Sequence, residues 1–398
     1  MAPVAPARRG GMVSIAHVPM ALSTQGSTLL TVAQSIIDAS GPSGIVSKAV
    51  LSDNRDVSLQ QAELLYVDYT RNCPREWFNK RELALDIAAG FLGLQRRWHG
   101  RLYDPAIEAV ATTRADVTLL YEGHYASATL PRWERVRKNS RIVLYCHNPL
   151  SRTYSSRELN RLLSYADVVA FCADHLRVSA ESRLGGKLPA RFMTVHNGVD
   201  PLFQPSASPL SGDAEPFTVV FAGVTTPHKG THLVLEAVDL ASRKVDRPIR
   251  AQIIGSHSYG HGEADLTDYE QGLRAKAARM HAPVEFLPFL SKAELSVRLR
   301  AATVACLPSQ WAEGLPLIAL ESMASGLPVI TSDSVGMTEA VGDAGLIVQG
   351  GDPEGMADAI VRLAESESEL TAASNRSLAR AGDFTWERVA TTFASLGA

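Results

Sequence analysis

The chain has no apolar run near the ~18–20 residues that a membrane-crossing helix needs, so no segment reads as one. Its four cysteines, Cys73, Cys146, Cys172 and Cys306, are too scattered for a disulfide framework or a zinc site. Two of them sit in apolar runs, where they read as small buried hydrophobes. No Gly-x-Gly-x-x-Gly occurs, which argues against a nicotinamide-dependent dehydrogenase. No Asp-x-Asp occurs either, so nothing indicates a divalent metal bridging a diphosphate, and neither a metal nor another cofactor is expected. Glycine (29) and proline (21) are near average, which excludes collagen-like and low-complexity chains, and 45% hydrophobic residues exclude wholesale disorder.

What is present is chain enough for more than one core. At ~100–200 residues per domain, 398 residues predict two or three domains. The net charge of −3 is unevenly held: residues 1–200 carry 24 Lys+Arg against 18 Asp+Glu (+6), and residues 201–398 carry 15 against 24 (−9). Such asymmetry points to different partners for the two halves. Arg8 and Arg9 precede an apolar stretch that His17 and Pro19 interrupt. That segment reads as a short tail before a first strand, in a cytoplasmic protein.

Short β-branched runs alternate with helical stretches. Strands are predicted at 12–18, 47–52, 63–69, 117–122, 141–146, 168–172 and 192–196, then at 217–222, 250–254, 284–287, 304–307, 328–331 and 345–348. Most are apolar throughout rather than alternating, as expected of strands covered by helices on both faces. Amphipathic stretches at 231–240, 295–301 and 356–363 lie between them, and repeated βαβ units imply parallel sheets. Residues 200–216 hold Pro201, Pro205, Pro209 and Pro216 without periodicity, where the charge also changes sign. The predicted architecture is an α/β chain of two Rossmann-like domains, 1–200 and 217–382, joined by the linker 201–216. Ligands in such folds bind beyond the carboxyl ends of the strands, so the crevice between the domains is the expected site.

The densest constellation is VACLPSQWAEGLPLIALESMASGLPVIT at 304–331. A strand ends near Leu307, a loop carries Glu313 and Gly314, and Pro316 suits the first position of a helix, where its missing N–H costs nothing. Leu317, Leu320 and Met323 continue at helical spacing until Gly326 stops the helix. Glu313 then lies before the helix and Glu321 in its second turn. Carboxylates accept hydrogen bonds from vicinal hydroxyls, and a helix N-terminus attracts an anion. The pair suits a polyhydroxy ligand tied to phosphate, although a solvated surface role is the ordinary state of a glutamate.

The two glutamates with seven residues between them, the following ESMASGLPVITS and VGDAGLIV at 341–348 resemble the retaining glycosyltransferases of family GT4. His196-Asn197-Gly198-Val199-Asp200 with Phe203 and Pro205, Phe221-Ala222-Gly223, Lys229-Gly230, and Phe384-Thr385-Trp386 are similar to further segments of that family, in the same order. The match is good over about 192–390 and loose before 190. The resemblance implies a GT-B fold, two Rossmann-like domains facing each other across a cleft, with residues 383–398 as a last helix crossing back to the first domain. It implies a nucleotide-sugar donor, UDP- or GDP-linked, held mainly by the second domain. Glu313 would contact donor-sugar hydroxyls as a catalytic residue, Glu321 the nucleotide ribose, and Lys229 the diphosphate, with Gly223, Gly314, Leu315 and Leu317 in the donor site.

Two positions depart from the family pattern. Val224 stands where an arginine often follows the glycine at 223, which throws diphosphate neutralisation onto Lys229, helix dipoles or a base elsewhere. Gly314-Leu315-Pro316 replaces Gly-Phe-Gly, and Pro316 has no N–H to give to a sugar, whereas Leu315 and Leu317 do.

In the first half, Gly26 in STQGST occupies the place of the family's glycine loop, and its lack of a Cβ permits close backbone approach. His147 ends the strand 141–146 and matches a family histidine that contacts the donor sugar, which makes it the second catalytic candidate; His124 is a weaker one. Two basic stretches, 71–101 with Trp77, Phe78, Phe91 and Trp98, and 132–141, read first as solvated helix faces and second as a peripheral contact with an anionic membrane. Nucleic acid is not expected, because the acidic second half would repel it. His257 and His261 sit in a polar insertion whose glycines argue against a helix holding both on a metal.

The function implied is transfer of a sugar to an acceptor hydroxyl with retained anomeric configuration, the acceptor being a saccharide, a lipid-linked glycan or a small aglycone. The alternatives are a sugar-nucleotide epimerase or phosphorylase on the same fold, and a non-catalytic nucleotide-sugar binder.

Overall fold

The computed structural model describes residues 12–19, 27–52, 59–69, 80–96, 99–122, 125–186, 188–206, 216–257 and 266–397. Every predicted strand forms, its ends displaced by no more than two residues. The first seven are β1 (Ser14–Val18), β2 (Val46–Ser52), β3 (Glu63–Val67), β4 (Val117–Glu122), β5 (Arg141–Cys146), β6 (Val168–Phe171) and β7 (Arg191–Thr194). They form one sheet in the order β3-β2-β1-β4-β5-β6-β7. The other six are β8 (Phe217–Ala222), β9 (Ile249–Ile254), β10 (Val284–Leu287), β11 (Val304–Leu307), β12 (Val329–Ser332) and β13 (Leu346–Val348), ordered β10-β9-β8-β11-β12-β13. All pairings are parallel, for example Ile15 with Val117, and Val304 with Val219.

Burial explains the composition. All six residues of β4 and of β8 are buried, because helices cover both faces of the sheet centre. The edge strands β3 and β10 keep several residues in contact with solvent, and their sequences include Glu63 and Glu285. In each sheet the strand order reverses beside the first strand, at β1/β4 and at β8/β11, so each has a switch point where neighbouring connections leave in opposite directions.

Helix starts are set by capping chemistry as much as by apolar spacing. The helix Lys292–Arg300 begins three residues before the first leucine of its pattern, because Ser291 and Glu294 close a capping box. The Ser291 hydroxyl accepts from the Glu294 N–H at 3.3 Å, and the Glu294 carboxylate accepts from the Ser291 N–H at 2.9 Å. Asp352 caps Pro353–Glu365 by accepting from the Gly355 N–H at 2.9 Å. Pro316 corrects the sequence reading: with ψ 114° it is the extended residue before the helix, which starts at Leu317.

The chain divides into two compact units, Met1–Gly198 with Trp386–Ala398, and Val199–Thr385. Within the first, the helix Trp386–Ser395 packs on the helix Thr28–Ser40, and the Phe393 ring meets Tyr145 at 5.0 Å. Within the second, Val199 and Thr385 pair as an isolated parallel bridge. Cys146, Cys172 and Cys306 are buried; Cys73 lies outside the described residues.

Candidate functional site

In the second unit the chain leaves β8 at Ala222, and the Gly223 N–H donates to the Ile254 carbonyl at 3.0 Å. One 3-10 turn, Pro227–Lys229, then leads into the helix Thr231–Ser242. Between them Gly230 has φ +76°, and a Cβ there would lie 2.3 Å from the Pro308 carbonyl oxygen. Only glycine meets both conditions. Its absence of a side chain lets the turn after β8 lie against the loop after β11, which brings Lys229 to Glu313.

The Lys229 ammonium pairs with Glu313 Oε1, and both side chains remain partly exposed. The Ser309 hydroxyl donates to the same carboxylate oxygen at 2.7 Å. Ser309 is held in turn: the Ser332 hydroxyl, at the end of β12, donates to its carbonyl, and the Gln310 N–H donates to the His228 carbonyl at 2.8 Å. On the other side, a Cβ on Gly336 would meet the Gly314 carbonyl at 2.4 Å and the Glu313 carbonyl at 2.5 Å, so the loop rests on a bare helix backbone. Glu313 is thus fixed from β11, β12 and the helix Val335–Val341. Trp311, 46% exposed, lies against His228 at 5.5 Å between ring centres.

These groups flank the β8/β11 switch point, at the carboxyl ends of the strands, where open parallel sheets bind their ligands. The helix Leu317–Ala324 starts four residues after Glu313. Leu315 is buried, and Leu317 is partly exposed in the first helical position. Glu321 is partly exposed but hemmed in by protein, which raises its pKa to about 7; nearby Lys292 opposes the rise and Asp200 adds to it. Lys292 and Asp200 pair with each other at 2.8 Å. The structure therefore ties Glu313 to Lys229, and surrounds Glu321 with a second pair that the sequence reading did not single out. Ser309 and Gly336 were missed as well. Their partners are distant in sequence, and the only signal available was the Ser-x-x-x-Glu spacing of 309 and 313.

The first-unit candidates fare differently. His147 follows β5 directly and is buried, its ring 4.3 Å from Tyr145 and 6.4 Å from Tyr121. Burial lowers its pKa to about 4, with Asn197 and the Tyr145 backbone opposing. The Tyr145 hydroxyl donates to the Val195 carbonyl at 2.8 Å and to Asn197 Oδ1 at 2.9 Å, linking the end of β5 to the His196-Asn197 segment. His17, at the end of β1, is equally buried, with a pKa lowered to about 3, and was not singled out from sequence. Gly26, His124, Trp77, Phe78, Trp98 and His261 lie outside the described residues. His257 hydrogen-bonds Glu270 at 3.0 Å, and no group of three or more potential metal ligands occurs among the described residues. No helix among them is long and apolar enough to cross a membrane.

The family model for Glycosyl transferases group 1 matches residues 208–380. The chain is 31% identical over 181 residues to the D-inositol 3-phosphate glycosyltransferase of Corynebacterium glutamicum, covering 45% of this chain and 42% of that protein. It is 32% identical over 219 residues to D-inositol 3-phosphate glycosyltransferase 1 of Catenulispora acidiphila, covering 51% and 50%. The chain thus spans half or less of the curated relatives it matches. Among solved structures it is similar to Anabaena HepE in complex with UDP and glucose, with a TM-score of 0.68, 18% identity and coverage of 96% and 98%. It is also similar to sucrose-phosphate synthase from Thermosynechococcus elongatus, with a TM-score of 0.67, 18% identity and coverage of 96% and 98%. At such identity these likenesses establish the fold. Residues 208–380 match the glycosyl transferases group 1 family, and the chain that carries them has the GT-B fold.

Proposed function

We propose that the protein is a retaining glycosyltransferase that moves a sugar from a nucleotide-diphosphate sugar to an acceptor hydroxyl. The observation that carries this reading is the Lys229–Glu313 pair at the β8/β11 switch point, inside the matched family segment. Without a ligand the two charges satisfy each other. A diphosphate brings its own negative charge to Lys229, and Glu313 is then released to accept hydrogen bonds from sugar hydroxyls. Glu321, once ionised, accepts from the ribose. HepE is recorded with UDP and with UDP-glucose, which favours a UDP-sugar as donor.

In the reaction the bond between the anomeric carbon and the diphosphate oxygen breaks, and the acceptor oxygen bonds that carbon on the same face. The acceptor proton passes to the departing phosphate oxygen, so no protein nucleophile is required. Lys229 stabilises the charge that develops on the leaving diphosphate. Val224 has no charge to contribute, so the ammonium carries more of that work. His147 is the first unit's proposed catalytic residue; an H147A variant should keep nucleotide affinity and lose turnover, and unchanged turnover would remove it from the reaction. The whole reading is tested by incubation with UDP-sugars and acceptors, followed by product analysis. A retained anomer in an acceptor-dependent product supports it. An inverted anomer, or turnover of the donor without any acceptor, contradicts it.

A further inference from the structure

We infer that the first unit docks on an anionic lipid surface through the C-terminal end of the helix Lys80–Phe91. Thirteen large apolar side chains are exposed among the described residues, and four of them fall within ten residues: Leu85 (56%), Phe91 (60%), Leu92 (72%) and Leu94 (59%). The other nine are spread along the rest of the chain, as single exposed hydrophobes ordinarily are. Leu85, Ala88 and Leu92 recur at i, i+3 and i+7 on one helical face, and Ala88 is exposed too. Asp86 lies on a different face, buried against His99 at 2.5 Å.

The patch is held in a defined shape. Gly93 has φ +79°, the Gly93 N–H donates to the Gly90 carbonyl at 2.9 Å, and the Leu94 N–H donates to the Ala89 carbonyl at 2.9 Å. This is the double bond of a Schellman turn, in which the residue at the place of Leu94 usually packs back onto the helix. Here it stays exposed, so the turn presents Leu92 and Leu94 outward beside Phe91.

Charge complementarity selects the partner. The helix Ser156–Leu163 packs beside this one. From it Arg161 donates to the Leu94 carbonyl at 2.9 Å, and exposed Arg157 lies next to Gly93. Arg81, also exposed, stands at the other end of the apolar face. The acids on these two helices whose side chains are described, Asp86 and Glu158, are buried in pairs with His99 and Arg96. An apolar stripe with arginines at its rim, and with its described acids withdrawn inward, matches an interface where acyl chains lie beneath anionic headgroups.

The inference does not depend on sugar transfer, because docking is read without turnover. The test is co-sedimentation of the full chain with phosphatidylcholine vesicles, with and without phosphatidylglycerol. The wild type should sediment with the phosphatidylglycerol-containing vesicles only, and added salt should weaken it. The L85D/L92D variant changes two exposed side chains and should fold normally by circular dichroism. Its bound fraction should fall by about tenfold or more. R157Q should lose less, and mainly at low salt. Absence of wild-type binding, or equal binding by L85D/L92D, overturns the inference, as does concentration-dependent self-association of the wild type that L85D/L92D abolishes without any vesicle binding.

Discussion

The two units solve the same structural problem with opposite electrostatics. Each is a parallel sheet with a switch point beside its first strand, and each places polar side chains at the carboxyl ends of the central strands. In the second unit those groups are charged, partly exposed and paired: Lys229 with Glu313, Lys292 with Asp200. In the first they are buried and held neutral or nearly so. Burial takes His17 down to about 3 and His147 to about 4, and it lifts Glu122 to about 7 against the hydrogen bonds it accepts from Ser127. A charged ligand is met by charges that can exchange partners at little cost, as in the second unit. A burial-neutralised set holds position and polarity while excluding formal charge. Under the proposed function, the diphosphate therefore goes to the second unit.

The largest effect expected from breaking this contrast is on turnover. Glu313→Gln should lower kcat by about 10²–10³ and leave nucleotide affinity largely intact, because the amide keeps the shape but not the charge-assisted acceptor. Steady-state kinetics beside calorimetric titration of UDP would show it; equal loss of both would take Glu313 off the sugar.

The first unit is probed through stability. The Glu122 carboxyl has a raised folded-state pKa, so its contribution is fully present below its ordinary value of 4.5 and is lost as pH rises through about 7. At pH 8 the wild type should therefore have lost up to about 3 kcal/mol that Glu122→Gln does not lose. His17 and His147 act in the opposite sense: their stability is present above 6.5 and lost as pH falls toward 4. The difference between wild-type and E122Q denaturation curves across pH 4–9 isolates the carboxyl. A flat difference would mean that Glu122 is not neutralised by burial.

A smaller effect concerns Glu321. With its pKa at about 7, Glu321 must give up a proton in the free protein before it can accept from the ribose in the role proposed for it. Affinity for a nucleotide sugar should fall by up to about tenfold per pH unit below 7, and Glu321→Gln should bind weakly and without that slope. Parallel slopes in both proteins would place the titrating group elsewhere.

Much of this was readable in advance, for identifiable reasons. The strands were legible because buried parallel strands are apolar on both faces, as in VTLLYE before Gly123 and FTVVFA before Gly223. The loop-and-helix context of Glu313 and Glu321 was legible because strand, loop, proline, helix and glycine are local signals. The start of the helix at Lys292 is also a local signal, in which the Ser291–Glu294 capping box outweighs the leucine spacing that begins at Leu295. What was not legible is what joins distant segments. Lys229 and Glu313 are 84 residues apart, and the support of Glu313 by Ser309, Ser332 and Gly336 depends on how β11, β12 and the next helix stack. The exposed leucines at 85, 92 and 94 were hidden for a related reason: a periodic apolar face predicts burial until the packing shows it exposed.

Calorimetric titration of a UDP-sugar into wild-type protein and Lys229→Ala tests the central claim most directly. The account predicts a loss of about 1.5–3 kcal/mol in binding, the value of a charged hydrogen bond, with the fold unchanged by circular dichroism. Equal affinity in the two proteins would contradict it, because the diphosphate would then be held by something other than the ammonium that pairs with Glu313.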